Sequence, residues 1–245
     1  MLRAVGFGLL ALWIGMSTAR ALTPGEAVMQ ATRAFQAADA AAIQSLIAAT
    51  SAWQASRSRD ELYAAAFLQF RRAQLAVAAE DDNLLRAAGN LCVAKAGAAA
   101  ALDAKFADGL ALQSACYGYL ANLGGFAAIG NGRRSGKAMD AALALEPNNP
   151  RVILIDAISY AFRPRIAGGD KAKAYALAKQ AAAAFDANKL AVDDITNWGM
   201  PEAWYWVARG AQDAGDTAAA RQAYERALAA APQFAAARRR LDSLR

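Results

Sequence analysis

The last 45 or so residues, PEAWYWVARGAQDAGDTAAARQAYERALAAAPQFAAARRRLDSLR from Pro201 to Arg245, restrict the fold more than any other stretch. They read as two helices broken at Gly215-Asp216. Gly closes the first helix, and the Asp carboxylate accepts from the unpaired amides that open the second. The small residues Ala208, Ala220 and Ala227 let the helices approach closely, and Trp204 and Tyr224 fill the space beside them. One such pair cannot bury its own apolar faces, so further hairpins must stack on it.

The rest of the chain reads as helix almost throughout, with hardly any alternating run of strand type. Thr23-Pro24 starts a helix to about Ala38, and Asp39 caps a second that ends before Ser56. A third opens near Asp60. Asp81-Asp82 caps a long one ending near Phe106, and another opens at Asp108. A glycine break at Gly124-Gly125 precedes a helix from Ser135 to Leu145. Asn149-Pro150-Arg151 opens the next pair, whose second helix runs from about Asp170 to Phe185. Between them, Phe162 to Asp170 forms a protruding loop closed by Gly168-Gly169. Lys189 to Met200 connects to the final pair.

With Pro201 as the first place of a 34-residue unit, Trp204, Val207, Ala208, Ala220, Tyr224, Ala227 and Pro232 fall on the signature places of the tetratricopeptide repeat (TPR). The stretch resembles a TPR unit, and the likeness covers Ser135 to Arg245. Asn149-Pro150-Arg151-Val152, then Pro164 to Asp170, then Trp198-Gly199 are also similar to a group of exported bacterial TPR-like proteins of poorly defined role. The resemblance implies an all-α fold, a TPR-like α-solenoid of antiparallel helical hairpins. Residues 131–245 are TPR-like repeats, and residues 22–130 are divergent repeats or a helical cap.

In TPR arrays the first helix of each repeat lines a concave groove. The resemblance assigns that role to Glu202, Tyr205, Arg209 and Gln212 in the last unit, and to Arg151, Leu154 and Ile158 in the one before. Tyr205 and Trp206 are not required by the repeat pattern, whereas Trp204 is expected in the core. A groove of Tyr, Arg and aliphatic residues suits a peptide or amphipathic helix. Packing of the same residues on the N-terminal helices is the competing reading.

The N-terminus carries an address. Arg3 precedes an apolar run from Ala4 to Met16, and Ala19-Arg20-Ala21 offers a cleavage site, so residues 1–21 read as a cleavable signal peptide. The run is shorter than a membrane span. Export to the periplasm or beyond follows, with no integral membrane span left after cleavage. Without Arg3 and Arg20 the 27 basic residues become 25 against 21 acidic, a net of +4. That mild excess, spread along the chain, does not favour a nucleic-acid partner.

The chain has no histidine, which removes imidazole acid–base catalysis, Ser–His and Cys–His pairs and His-containing zinc sites. The stretch Asn131 to Ala138 lacks the first Gly and the hydroxyl of a phosphate-binding loop and follows no strand, so it is expected to be a basic turn. Glu80-Asp81-Asp82 and Asp193-Asp194 lie where helix caps need acidic residues. Cys92 and Cys116, the only cysteines, form either a disulfide or two buried thiols. No cofactor is expected. The function expected is a non-enzymatic protein-interaction module of the bacterial envelope that takes a protein or peptide partner. The alternative is a small-molecule-binding component, or a His-independent enzyme, with its pocket between the N-terminal helices and the repeats.

Overall fold

A computed structural model of the chain describes residues 21–187 and 194–244. The expected leader, apart from Ala21, and the first part of the connection after Lys189 lie outside the described residues. Eleven α-helices and two short 3-10 turns make up the regular structure there. Their order is α1 (Pro24–Gln36), α2 (Ala40–Ala49), α3 (Arg59–Ala78), α4 (Asp82–Leu102), α5 (Ala107–Ala121) and α6 (Gly125–Leu145). Then come α7 (Pro150–Phe162), α8 (Lys171–Ala187), α9 (Met200–Asp213), α10 (Thr217–Ala230) and α11 (Ala235–Asp242).

Local chemistry sets the starts. Thr23 Oγ1 accepts from the Glu26 amide at 3.2 Å while the Glu26 carboxylate accepts from the Thr23 amide at 2.8 Å, a reciprocal cap. Asp39, Asp81, Asp170 and Asp216 each accept an amide three residues on, at 2.9–3.0 Å. Asn149 caps α7, with Pro150 following it. Gly215, at φ 81°, turns the chain between α9 and α10, as its place before the Asp216 cap requires.

The helices pair as five hairpins, α1/α2 through α9/α10, and α11 packs on α10. The second helix of one hairpin packs on the first of the next, most extensively α4 on α5 and α8 on α9. Short side chains line the packed faces: Ala88, Ala96 and Ala99 of α4 and Ala107 and Ala111 of α5 are all buried. Cys92 of α4 and Cys116 of α5, both buried, are joined across that contact with their Cα atoms 6.0 Å apart.

Two expectations are corrected. Asn131 to Ala138 is no turn but the middle of α6, which begins right after Gly124. Buried Ser135 holds it there, since its hydroxyl donates to the Ser114 carbonyl at 2.9 Å and Ser114 returns the bond to the Ser135 carbonyl at 2.8 Å. The expected division between residues 130 and 131 therefore falls inside a continuous helix. Trp204 is only half-buried, with the Arg226 guanidinium 4.4 Å from its ring centroid, because it faces α10 at the surface.

The solenoid also closes on itself. Gln233, beyond α10, donates to Gln36 at the end of α1 at 2.6 Å, and the Phe35 and Phe234 rings lie 6.5 Å apart. First and last hairpins thus touch.

Candidate functional site

Closure places the inner face of α9 against the N-terminal helices. Arg71 of α3 is fully buried and donates to Glu202 of α9 at 2.8 Å and to Gln74 at 2.9 Å. Its guanidinium lies 4.4–5.4 Å from the ring centroids of Phe35, Phe67, Phe70 and Trp198. Burial lowers its pKa, and Glu202 opposes that shift. Trp198, just before α9, donates its indole N–H to the Tyr63 hydroxyl at 2.9 Å and packs on Phe67 and Phe70. Burial drives the Tyr63 hydroxyl well above its ordinary pKa, so it stays protonated. A second buried pair ties α7 to α5, with Arg151 donating to Asp108 at 2.5 Å. Burial alone would lower the Arg151 pKa; Asp108 outweighs it and leaves the value raised. The layer between the N-terminal helices and the repeats is thus packed with aromatic rings and ion pairs.

A cleft open to solvent lies nearby, where α7 and α9 make little direct contact and α8 floors the gap. It has room for about 130 Å³. Phe162, at the end of α7, meets Trp206 edge-on with centroids 5.4 Å apart, and Tyr205 meets the same indole at 5.7 Å. The Arg209 guanidinium lies 5.5 Å from the Trp206 ring, and its nearest hydrogen-bond partner is the Tyr205 hydroxyl at 3.4 Å. Its charge is thus held beside aromatic faces. Lys171 and Asp213 pair at 3.1 Å on the rim. The Tyr175 side chain of α8 packs on Gly210, where any Cβ would come within 2.5–2.7 Å of the tyrosine. Glycine at 210 is what lets α8 and α9 close the floor.

No family model and no curated protein matches the sequence. Solved structures do. The chain aligns with a thermophilic TPR protein of Thermus thermophilus at a TM-score of 0.55 and 18% identity, over 84% of this chain and 88% of that one. It aligns with the HusA haemophore of Porphyromonas gingivalis at 0.62 and 19%, over 79% of this chain and 96% of that one. The fold is TPR-like. Among the described residues no helix is long and apolar enough to cross a membrane.

The groove residues of this TPR-like fold divide by depth. Arg151, Leu154 and Glu202 are buried, the two charged ones in the ion pairs above, and offer no side chain to a partner. Ile158 is half-buried against the core. Gln212 accepts from the Tyr224 hydroxyl at 2.6 Å, and burial pushes the Tyr224 pKa up to about 12. Tyr205 packs on Tyr224 and Phe234, 5.8 and 5.3 Å away, but also on Trp206. Of the expected groove residues, Arg209 lines the cleft and Tyr205 borders it through Trp206. Phe162, Tyr175, Gly210 and the Lys171–Asp213 rim were not legible as one site. Only the surplus of aromatics at 205–206 and the loop after Phe162 pointed toward it.

Proposed function

We propose that the protein is a non-enzymatic interaction module of the bacterial cell envelope, exported by its N-terminal leader. It holds a peptide or helix of a partner protein at the α7–α9 cleft. The observation that carries this reading is the cleft's size and lining together. Small-molecule sites usually enclose about 300–1,000 Å³. A cleft of about 130 Å³ takes a side chain or two of a larger partner whose remainder lies on the surface. Phe162 and Trp206 supply apolar walls for such an anchor, and Arg209 suits a carboxylate beside it.

A peptide library panned against the protein tests this. Enriched sequences should share one bulky apolar anchor and lose binding at least tenfold to Trp206→Ala and to Arg209→Glu. Enrichment of peptides that bind both variants as well as wild type refutes the cleft.

A second reading, small-molecule binding, is favoured by the likeness to HusA, which is a haemophore. With no histidine in the chain, such a ligand would be held by aromatic and basic groups. Titration with haem, read in the Soret band, separates the two. Saturable haem binding that a selected peptide does not displace supports this second reading over the first.

A further inference from the structure

The most exposed large apolar side chains among the described residues are Ile166, 100% exposed, and Phe126, 96% exposed. They lie on the same edge of the solenoid. Successive antiparallel hairpins α5/α6 and α7/α8 put their internal connections side by side. Phe126 begins α6 right after one connection, and Ile166 sits at the tip of the other. Ile129, 59% exposed, stands one turn along from Phe126.

Cations back these tips. On α6 the exposed Arg133 and Lys137 follow Phe126 by seven and eleven residues, which puts them on its stripe of the helix. The opposite stripe, with Ser135, Met139 and Ala142, is buried. Arg134 flanks the exposed stripe, and the other connection adds the exposed Arg165. Acidic groups flank the cations without sharing the apolar tips. Asp140 lies a turn beyond Lys137 and further from the tip, Asp170 is spent on capping α8, and Asp213 pairs with Lys171. Glu80 and Asp81 belong to the α3–α4 connection, with Asp82 opening α4, and Asp216 belongs to the α9–α10 one, to either side.

We propose that this edge docks on an anionic lipid surface. Phe126, Ile129 and Ile166 enter the interfacial zone, and Arg133, Lys137 and Arg165 meet the headgroups. Separate apolar tips with cations behind them suit a deformable, negatively charged surface. A second copy of the chain would bring like charges together. The proposal is independent of the α7–α9 cleft.

The test is co-sedimentation with vesicles of phosphatidylcholine alone or with one-quarter phosphatidylglycerol. Protein lacking residues 1–21 is used, so that the apolar leader does not itself partition; every described helix remains. Circular dichroism melts check that each variant is folded, as substitutions at exposed positions should be. Wild type should bind the anionic vesicles only, and 0.5 M salt should release it. Arg133→Ala/Lys137→Ala should lower partitioning by roughly 25-fold, about fivefold per cation removed. Phe126→Ser/Ile166→Ser should lower it at least tenfold, and Trp206→Ala should leave it unchanged. Equal binding to neutral and anionic vesicles overturns the proposal, as does full binding by the two edge variants. Wild-type self-association that Phe126→Ser abolishes, with no vesicle binding, overturns it in favour of a homomeric contact.

Discussion

Removing the Glu202 carboxylate should unfold the protein far more readily than its position at the start of a helix suggests. Among the described residues Arg71, 1% exposed, has Glu202 as its only counter-ion, through one contact of 2.8 Å. Arg71 Nε and Glu202 Oε2 find no hydrogen-bond partner among the described residues, so the pair has little redundancy. Glu202→Ala leaves the guanidinium charged and dry among four aromatic rings, which partly compensate it. Breaking a buried pair in this way costs about 3–5 kcal/mol. At about 2–4 °C per kcal/mol for a chain of this size, the midpoint should fall by roughly 6–20 °C. Arg71→Met/Glu202→Leu should recover most of that loss, because Met fills the aromatic cage and no charge stays buried. Thermal and urea melts of Glu202→Ala, Arg71→Met, Glu202→Leu and Arg71→Met/Glu202→Leu, followed by circular dichroism, check this, the last three variants forming the cycle. A loss below about 1 kcal/mol for Glu202→Ala, or a double variant no better than the sum of the singles, would overturn this account of the pair.

Gly210→Ala should destabilise by about 1–3 kcal/mol through overpacking, since its Cβ would lie 2.7 Å from the Tyr175 Cβ. Gly210→Ala/Tyr175→Ala should recover part of this in the same melts, and a neutral Gly210→Ala would refute the close approach. Cys92→Ala/Cys116→Ala, or reductant, should cost about 3.5 kcal/mol, the entropy of closing a loop of 24 residues' separation. Alkylation in denaturant without reductant should add no mass to these cysteines. Asp156→Asn should raise the melting temperature at pH 7. Burial raises the Asp156 carboxyl pKa above its ordinary 3.8, partly opposed by Lys173 and Arg163. The native state then holds the proton more tightly than the unfolded one, so the charge costs stability above the folded pKa and nothing below the unfolded value. The gain should therefore vanish below about pH 3.8, and melts across pH check it. A gain that persists at pH 3 would point to packing and not to charge.

The helices and their pairing were legible along the chain, because the chemistry that sets them is short-range. Caps at Thr23, Asp39, Asp81, Asn149, Asp170 and Asp216 mark helix starts, since the amides they satisfy lie within three residues. Small residues at Ala208, Ala220 and Ala227 settle the last hairpin, because close approach needs only a short side chain on each helix. The TPR-like reading rests on such local features. Which face of each first helix remains free was settled by long-range packing instead. Arg151 and Glu202 carry charge and read as groove residues, yet each is buried against a carboxylate or guanidinium from another hairpin: Asp108, 43 residues away, and Arg71, 131 away. Nothing in the local pattern of α7 or α9 announces those partners. The Asn131–Ala138 stretch failed for a related reason: its glycines and cations read as a turn, but Ser114 and the packed face of α6 made it helix. The cleft, in turn, is the space left because α7 and α9 barely meet, and it gathers side chains from three helices. A gap between elements is set by how all of them pack, so it has no signature along the chain.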